Sequence, residues 1–289
     1  MPRFALLTTE CAQLGEAITE IIDRHHQEIV VVVTSDRSVR GGLRRALRCG
    51  PRFVKYLLYA YLAYPGYLRL DRALSRLRVH RRRRRHSVAE LCAQYGIARI
   101  HCTDVNHPAT AAYLRFAAVD FLVCFGFDQP LFETVVAAPR RAALNVHPAY
   151  LPKCRGLFPT LYSAIETDAP FGVTAHLVDP GDAGGGPILA QRRSTPPLGR
   201  SVLFNDGWVY RTGVDLLSDV LTCFDGYARF SLPQIGGTTH GYPRRADLAA
   251  ARAMDLRLST FADFLAVCRG SRVATPARAA ADRRTAEAA

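Results

Sequence analysis

Two polar side chains that could take part in acyl transfer stand two positions apart in the stretch NVHPAYLPKCRG, residues 145–156. They are Asn145 and His147, and they lie at the end of an apolar run of strand type. Because side chains alternate across a strand, residues i and i+2 point to the same side, so this amide and this imidazole can face one pocket. Together they offer donors for a tetrahedral oxyanion and an acceptor for the proton of an attacking amine.

A carboxylate that could hold or charge this imidazole lies in the glycine-rich stretch PGDAGGG, which contains Asp182 and directly follows Asp179. The glycines after Asp182 would let the backbone approach a ligand closely. Spacing alone leaves a second interpretation of His147, as a structural histidine hydrogen-bonded at a strand end. His176, in the middle of a predicted strand, is interpreted as structural. The sequence shows no serine or cysteine nucleophile elbow, phosphate loop or dinucleotide fingerprint.

Strand-like and helix-like stretches alternate along the chain. Apolar and β-branched runs predict strands at 3–8, 28–35, 98–103, 119–126, 141–146, 172–179 and 186–193. Helical spacing predicts helices at 10–26, 87–97, 107–118, 130–139, 201–224 and 260–270. This alternation predicts an α/β fold with a doubly wound, mostly parallel, Rossmann-like sheet. Ligands bind such sheets at the carboxyl ends of the strands, which is where His147 falls.

The composition is that of a globular protein, because 49% of the 289 residues are hydrophobic and 22% are charged. Eight cysteines are scattered without a CxxC pair, so we expect mostly buried free thiols in a reducing compartment and no zinc site. The acidic first helix-like stretch argues against a secretory or transit signal, and no apolar run is long enough to span a membrane. These features predict a cytoplasmic protein.

One segment, residues 40–86, carries the positive charge of the chain. It holds fourteen arginines and one lysine against one aspartate, whereas the whole chain has a net charge of +13, so the remainder is close to neutral. Its centre, VKYLLYAYLAY, is apolar and tyrosine-rich. Three interpretations remain open: an inserted helical hairpin that buries this face on the body or in a homodimer, an amphipathic element peripheral at a membrane surface, or a docking element for an acidic macromolecule.

The pattern changes near residue 200, which predicts the domain organisation. We expect a catalytic domain over 1–200 that contains the basic insert, and a small C-terminal extension over 201–273 that packs on it. Residues 274–289 contain no bulky apolar side chain and are predicted to be a disordered tail.

The stretch at 145–156, with GVTAHLVD and GPILAQ after it, resembles the folate-dependent formyltransferase family. This family includes the glycinamide ribonucleotide, methionyl-tRNA and sugar N-formyltransferases. Its pattern is N-x-H-P-S-x-L-P-x-x-x-G, then G-x-T-x-H with a downstream Asp, then G-x-I-x-x-Q. The stretches VVVTSDR and DFLVCFGFDQPLF are also similar, so the resemblance covers about residues 1–195, the basic insert excepted.

The resemblance implies the formyltransferase fold and an enzyme that transfers a formyl group from N10-formyltetrahydrofolate to an amine. Asn145 and His147 would polarise the formyl carbonyl and stabilise the tetrahedral intermediate. Asp182 would tune the histidine and relay the amine proton. No metal ligands are expected among these site residues. Residues expected to receive the pterin of the donor are Phe127, Gln129, Pro130, Leu131, Val178 and Asp179.

Three departures from the family pattern bear on activity and substrate. Asp182 lies six residues after His176 where the family usually has seven, so an alignment without a shift would place Ala183 at the catalytic position. The stretch TTECAQLGEAI lacks the Gly-Ser-rich phosphate loop of the glycinamide ribonucleotide enzymes, which disfavours that substrate. The insert replaces a short basic loop that contacts tRNA in the tRNA enzymes, and the C-terminal part is shorter than theirs.

The leading hypothesis is an N-formyltransferase acting on the primary amine of a specialised small molecule, such as an amino sugar or a biosynthetic intermediate. One alternative is an enzyme of the methionyl-tRNA formyltransferase type that binds tRNA through residues 40–86. The other is an inactive protein of folate-binding fold that acts through its basic insert.

Overall fold

A seven-stranded sheet forms the centre of the computed structural model, which describes residues 2–35, 45–77, 85–181 and 184–270. The strands are β1 (Phe4–Thr9), β2 (Ile29–Ser35), β3 (Ala98–His101), β4 (Phe121–Phe125), β5 (Ala142–His147), β7 (Gly172–Leu177) and β8 (Ile188–Arg193). Their order is β3-β2-β1-β4-β5-β7-β8, and β7 alone runs antiparallel to its neighbours. The predicted α/β class, with a mostly parallel sheet, is confirmed. Two short strands, β6 (Arg155–Gly156) and β9 (Thr239–His240), pair separately.

Helices cover both faces of this sheet, as a doubly wound fold requires. The described helices are α1 (Gly15–His25), α2 (Pro51–Leu57), α3 (Ala63–Arg76), α4 (Val88–Tyr95), α5 (Pro108–Phe116), α6 (Glu133–Val136), α7 (Pro159–Ile165), α8 (Val202–Thr222), α9 (Phe224–Arg229), α10 (Arg245–Ala253) and α11 (Phe261–Arg269). One face packs against α1, α4 and α8. The other packs against α5 and α6. Within the described ranges, no helix is both long and apolar enough to cross a membrane.

The described part of the basic insert is dominated by one long helix. α2 runs through a π-helical turn at Leu58–Leu62 directly into α3, and we call residues 51–76 the insert helix. Its buried side is made of side chains spaced three or four residues apart: Phe53, Tyr56, Ala60, Tyr64 and Leu68. They share a core cluster with residues of α8 and α11, so the tyrosine-rich face packs on the body of the same chain. Other parts of the predicted hairpin fall on 36–44 and 78–84, outside the described residues.

Residues after 200 join the fold at several places. α8 spans 21 residues and contributes Val209, Val214 and Leu217 to the same core as the central strands. β9 pairs in parallel with β6, next to the NVHPAYLPKCRG stretch. The predicted tail at 274–289 lies outside the described residues.

Candidate active site

Asn145 and His147 lie in the last three residues of β5, on the side opposite the neighbouring Val146. β7 fixes the surroundings of this pair because Asn145 is directly opposite His176 in the antiparallel register. The Nδ1 of His176 lies 2.7 Å from the carbonyl oxygen of Leu177, so it carries the proton and donates it. The Nε2 of His176 is then an acceptor, and Asn145 Nδ2 donates to it at 3.0 Å. One amide proton of Asn145 is thereby fixed, which leaves the second for a ligand.

His147 is a buried histidine held in one tautomer. It is 7% exposed, and its Nε2 lies 3.0 Å from the carbonyl oxygen of Cys154, to which it donates. Burial lowers the pKa of His147 to about 4, although the hydrogen bond to Cys154 opposes the shift and nearby His176 adds to it. The ring is therefore neutral at pH 7, with its proton on Nε2 and a lone pair on Nδ1 that can accept a proton.

Both side chains open onto a cavity of about 790 Å³ at the carboxyl ends of β1, β4 and β5. This is the edge at which ligands bind open α/β sheets, and the volume is that of a pocket for a drug-sized molecule. Residues predicted to receive the pterin and found on the cavity wall are Phe127, Gln129, Pro130, Leu131 and Val178. Asp179, which was also predicted to receive the pterin, is exposed and does not line the cavity. It lies in the loop that follows β7.

Hydrogen bonds hold the loop after β4 rigidly against the rest of the wall. Gln129 is 6% exposed; its amide nitrogen donates to Ser35 Oγ at 2.6 Å and its oxygen accepts from the backbone of Val105 at 2.9 Å. The backbone nitrogen of Gly181 donates to the carbonyl of Leu131 at 2.8 Å. Gln129 therefore acts on the wall as a brace for the loop, and a planar apolar ligand would meet the side chains beside it.

The predicted catalytic aspartate, Asp182, lies outside the described residues, as does Ala183. Their described neighbours lie at the margin of the cavity. Gly181 contacts the loop after β4, and Gly184 lines the cavity and accepts a hydrogen bond from Gln234 Nε2 at 2.7 Å. The assignment of Asp182 therefore stays a prediction.

A second carboxylate on the cavity wall, Asp206 of α8, was missed by the sequence reasoning. It is 5% exposed, and Tyr56 of the insert helix donates its hydroxyl proton to Oδ2 at 2.6 Å. Burial raises the pKa of Asp206 to about 6, against the opposing effect of the hydroxyls of Thr160 and Tyr56. The sequence offers one signal for a functional carboxylate here, the pair Asn205-Asp206 inside an otherwise apolar helical stretch. Charged residues are rarely buried without a partner, so an aspartate in such a stretch indicates a special role.

One group of side chains in the described part of the chain has ligand types suited to a metal. Cys154, Glu166 and His240 each place a ligand atom within 4.8 Å of the others. Glu166 already accepts from His240 Nε2 at 2.6 Å, from Thr238 Oγ1 at 3.2 Å and from Cys154 Sγ at 3.6 Å. Hydrogen bonds account for this cluster without an ion, and it steadies the loop whose Cys154 carbonyl holds His147.

The protein thus has an α/β fold with a ligand-sized cavity at the carboxyl ends of its central strands, and Asn145 and His147 lie on the wall of this cavity. Residues 72–195 match the formyl transferase family. A methionyl-tRNA formyltransferase of Roseiflexus sp. (strain RS-1) is 32% identical over 143 residues, which are 49% of this chain and 42% of that protein. The chain thus spans less than half of the length of that relative.

Solved structures share the fold over most of the chain. A 4-N formyltransferase from Francisella tularensis superposes with a TM-score of 0.50 at 14% identity, covering 96% of this chain and 89% of that one. A phosphoribosylglycinamide formyltransferase from Anaplasma phagocytophilum gives a TM-score of 0.52 at 15% identity, covering 78% and 86%. The family match over residues 72–195 and the shared fold are those that the resemblance predicted.

Proposed function

We propose that this protein is an N-formyltransferase that moves a formyl group from N10-formyltetrahydrofolate to the primary amine of a specialised small molecule. The observation that carries the proposal is the pair of Asn145 and His147, each in a fixed hydrogen-bonding state, at the wall of one ligand-sized cavity. The match to the formyltransferase family supports the reaction class. An amino sugar or a biosynthetic intermediate would be the acceptor.

The cavity offers a suitable surface for the donor. Phe127, Pro130, Leu131 and Val178 form an apolar wall beside the catalytic pair, and the braced loop after β4 would keep that wall in place for the pterin. The exposed Asp179 would contribute through the backbone of its loop rather than through its carboxylate. Bound N10-formyltetrahydrofolate supplies the formyl carbon and accepts a proton on the nitrogen that this carbon leaves.

The two side chains then have separate tasks. The second amide proton of Asn145 is available for the formyl oxygen, where negative charge develops as the amine nitrogen bonds to the formyl carbon. The neutral ring of His147 has its free lone pair on Nδ1, which can accept the proton that the amine loses. Once protonated, the ring is a cation that stabilises the charge on the oxygen. Asp182, if its position is as predicted, would relay the proton onward.

The reaction is tested by incubating the protein with N10-formyltetrahydrofolate and a panel of primary amines. We expect release of tetrahydrofolate with at least one amine. His147→Ala should lower the rate by roughly 100-fold or more, because it removes the proton acceptor. His101→Ala, at an exposed position of β3, is the control and should keep the wild-type rate. A protein that binds the donor but turns over no amine would refute the proposal.

A second candidate is formylation of charged tRNA, which the exposed basic side of the insert favours. The residues on that side are Arg45, Arg48, Arg52, Lys55, Arg69 and Arg76. The similarity to a methionyl-tRNA formyltransferase points the same way. Formylation of charged initiator tRNA should then slow steeply as salt rises, because each phosphate contact releases counterions. A rate that is independent of salt would remove this candidate.

Leucines beside the basic residues give the insert a further candidate role, at a membrane surface in the cytoplasm. Leu47, Leu58, Leu62, Leu70 and Leu77 are between 43% and 72% exposed. Exposed leucines next to arginines suit binding to an anionic membrane surface. The same leucines could instead pack against a second copy of the chain. Flotation with anionic liposomes, compared with Leu58→Ser/Leu62→Ser, separates the two: co-flotation lost in the variant supports a membrane role, whereas a dimer in the soluble fraction supports self-association.

A further inference from the structure

We propose that Asp206 is the anchor for the far end of the acceptor, and that the acceptor is an unphosphorylated molecule with two polar ends. One end is the primary amine that reacts, the other is a hydroxyl or ammonium that donates to Asp206, and the body between them is apolar or aromatic. This inference rests on the proposed formyl transfer and specifies its substrate class.

Among the described residues, the partners of the Asp206 carboxylate are neutral hydroxyl groups, and no cation is paired with it. Its carboxylate is 5% exposed and faces the cavity; Tyr56 donates a hydrogen bond to Oδ2, and the hydroxyl of Thr160 also stabilises the charged form. Within the described residues, no arginine, lysine or histidine forms an ion pair with it. A buried carboxylate with so few partners is costly, so a ligand that brings a donor into the cavity would be held strongly.

The anchor lies across the sheet edge from the wall assigned to the donor. Tyr210, one helical turn after Asp206, also lines the cavity and packs against Phe125 at 5.5 Å between ring centroids. Phe125 and Val146 belong to the core on the α8 side, whereas Phe127 and Leu131 pack with the core on the opposite side. A molecule that enters beside α8 would therefore meet Asp206 at one end and reach the end of β5 with the other.

Aromatic side chains from the insert helix complete this half of the cavity. Tyr56 and Tyr61 both line it although they are five positions apart, because the π-helical turn at Leu58–Leu62 places positions i and i+5 on one side. Phe158 and Tyr242 add two further rings, 5.4 Å apart. Rings around a single carboxylate favour a flat or apolar body with one polar end.

The charges on the cavity wall argue against phosphate. Among the described lining residues, Arg45 is the sole arginine or lysine, and its guanidinium lies over the Tyr242 ring, 5.7 Å from the centroid. Asp128 and Asp206 are carboxylates on the same wall, and His147 is neutral at pH 7. Carboxylates outnumber cations among the described lining residues, and each contact between a phosphate group and the Asp206 carboxylate would be repulsive.

Three matched amines test the inference: tyramine, 2-phenylethylamine, which lacks the hydroxyl, and tyramine phosphate. With N10-formyltetrahydrofolate as donor, we expect kcat/KM for tyramine to exceed kcat/KM for 2-phenylethylamine by about tenfold or more. The ratio of kcat/KM for tyramine to that for tyramine phosphate should be larger still. Asp206→Asn should abolish the preference for tyramine while leaving the KM for the donor unchanged. A preference for the phosphate, or a preference unaffected by Asp206→Asn, would overturn the inference.

Two further variants guard against a folding defect. Tyr56→Phe keeps the carboxylate and removes its internal donor, so the preference for tyramine should persist. Asp215 lies on α8 like Asp206 but forms a surface ion pair with Arg24. Asp215→Asn should leave kcat/KM for each of the three amines unchanged.

Binding measured by calorimetry without the donor separates this inference from the formyl transfer. Tighter binding of tyramine than of 2-phenylethylamine, lost in Asp206→Asn, would support the anchor even if the wild type turned over no amine. Equal binding of the two amines would reject the anchor even if formyl transfer were observed.

Discussion

At the scale of residues, Asn145 and His147 lie on the same side of β5 because side chains alternate across a strand. This local rule needs only two positions of the sequence, so the shared side of the two residues could be predicted. The partners of these residues could not be predicted, since they depend on the register of β7 against β5 and on the path of the loop to Cys154. His176 was interpreted as structural, and its position opposite Asn145 gives it a specific task, to fix the amide.

His176→Ala should therefore lower kcat for formyl transfer by about tenfold, because Asn145 loses the acceptor that orients its amide. The KM for the donor should change little. His176→Gln places an acceptor oxygen in the same region and should restore part of the rate. Equal rates for the Ala and Gln variants would show that His176 does not act through Asn145.

Asp206 should make stability depend on pH in a predictable direction. Burial raises its pKa from 3.8 to about 6, so the unfolded chain ionises first as pH rises. Its stabilising contribution is complete below about pH 4 and is lost as pH rises through about 6. Relative to wild type, Asp206→Asn should gain on the order of 2–3 kcal/mol in unfolding free energy between pH 4 and pH 7. The unfolding free energy of both proteins is measured by denaturant unfolding across this pH range. Parallel curves of free energy against pH would contradict the prediction.

At the scale of elements, all seven predicted strands of the central sheet and the main helices are found within a few residues of their predicted ends. Continuous β-branched runs and helical periodicity are readable one segment at a time. The surface on which the insert packs could not be predicted from the sequence. Tyr56 and Asp206 are 150 positions apart, and they meet only after the sheet has formed. For this physical reason the sequence alone does not distinguish among the three interpretations of the insert.

The insert helix crosses α1 closely enough to require glycine there. A Cβ at Gly15 would collide with the hydroxyl oxygen of Tyr64 and, less severely, with its ring carbon Cζ, and this side chain is only 2% exposed. Gly15→Ala should destabilise the protein by about 1–3 kcal/mol. Gly66→Ala in α3 is the matched control: its Cβ would meet nothing within 4 Å, and it should be neutral or slightly stabilising.

A double variant makes the Gly15 test specific to this contact. Adding Tyr64→Phe removes the colliding oxygen, so the loss caused by Gly15→Ala should shrink in that background. Fully additive losses would mean that the insert helix does not approach α1 as described.

At the scale of the whole molecule, the charge distribution divides the protein into a near-neutral body and a basic insert. The family match begins within the insert and ends at residue 195, after the last strand of the sheet. The anchor proposed for the acceptor lies beyond that match, on α8. Reaction class is thus supported by the part that resembles the family, whereas substrate choice is proposed to depend on the part that does not.

The fate of a labelled formyl carbon shows whether the protein transfers a formyl group to an amine. N10-formyltetrahydrofolate carrying ¹³C in the formyl group is incubated with the protein and an accepted amine, and the product is followed by NMR. We expect a ¹³C formamide signal that grows with the wild type and is nearly absent with His147→Ala. A label that stays on the donor in the presence of wild-type protein shown to bind both molecules would contradict it.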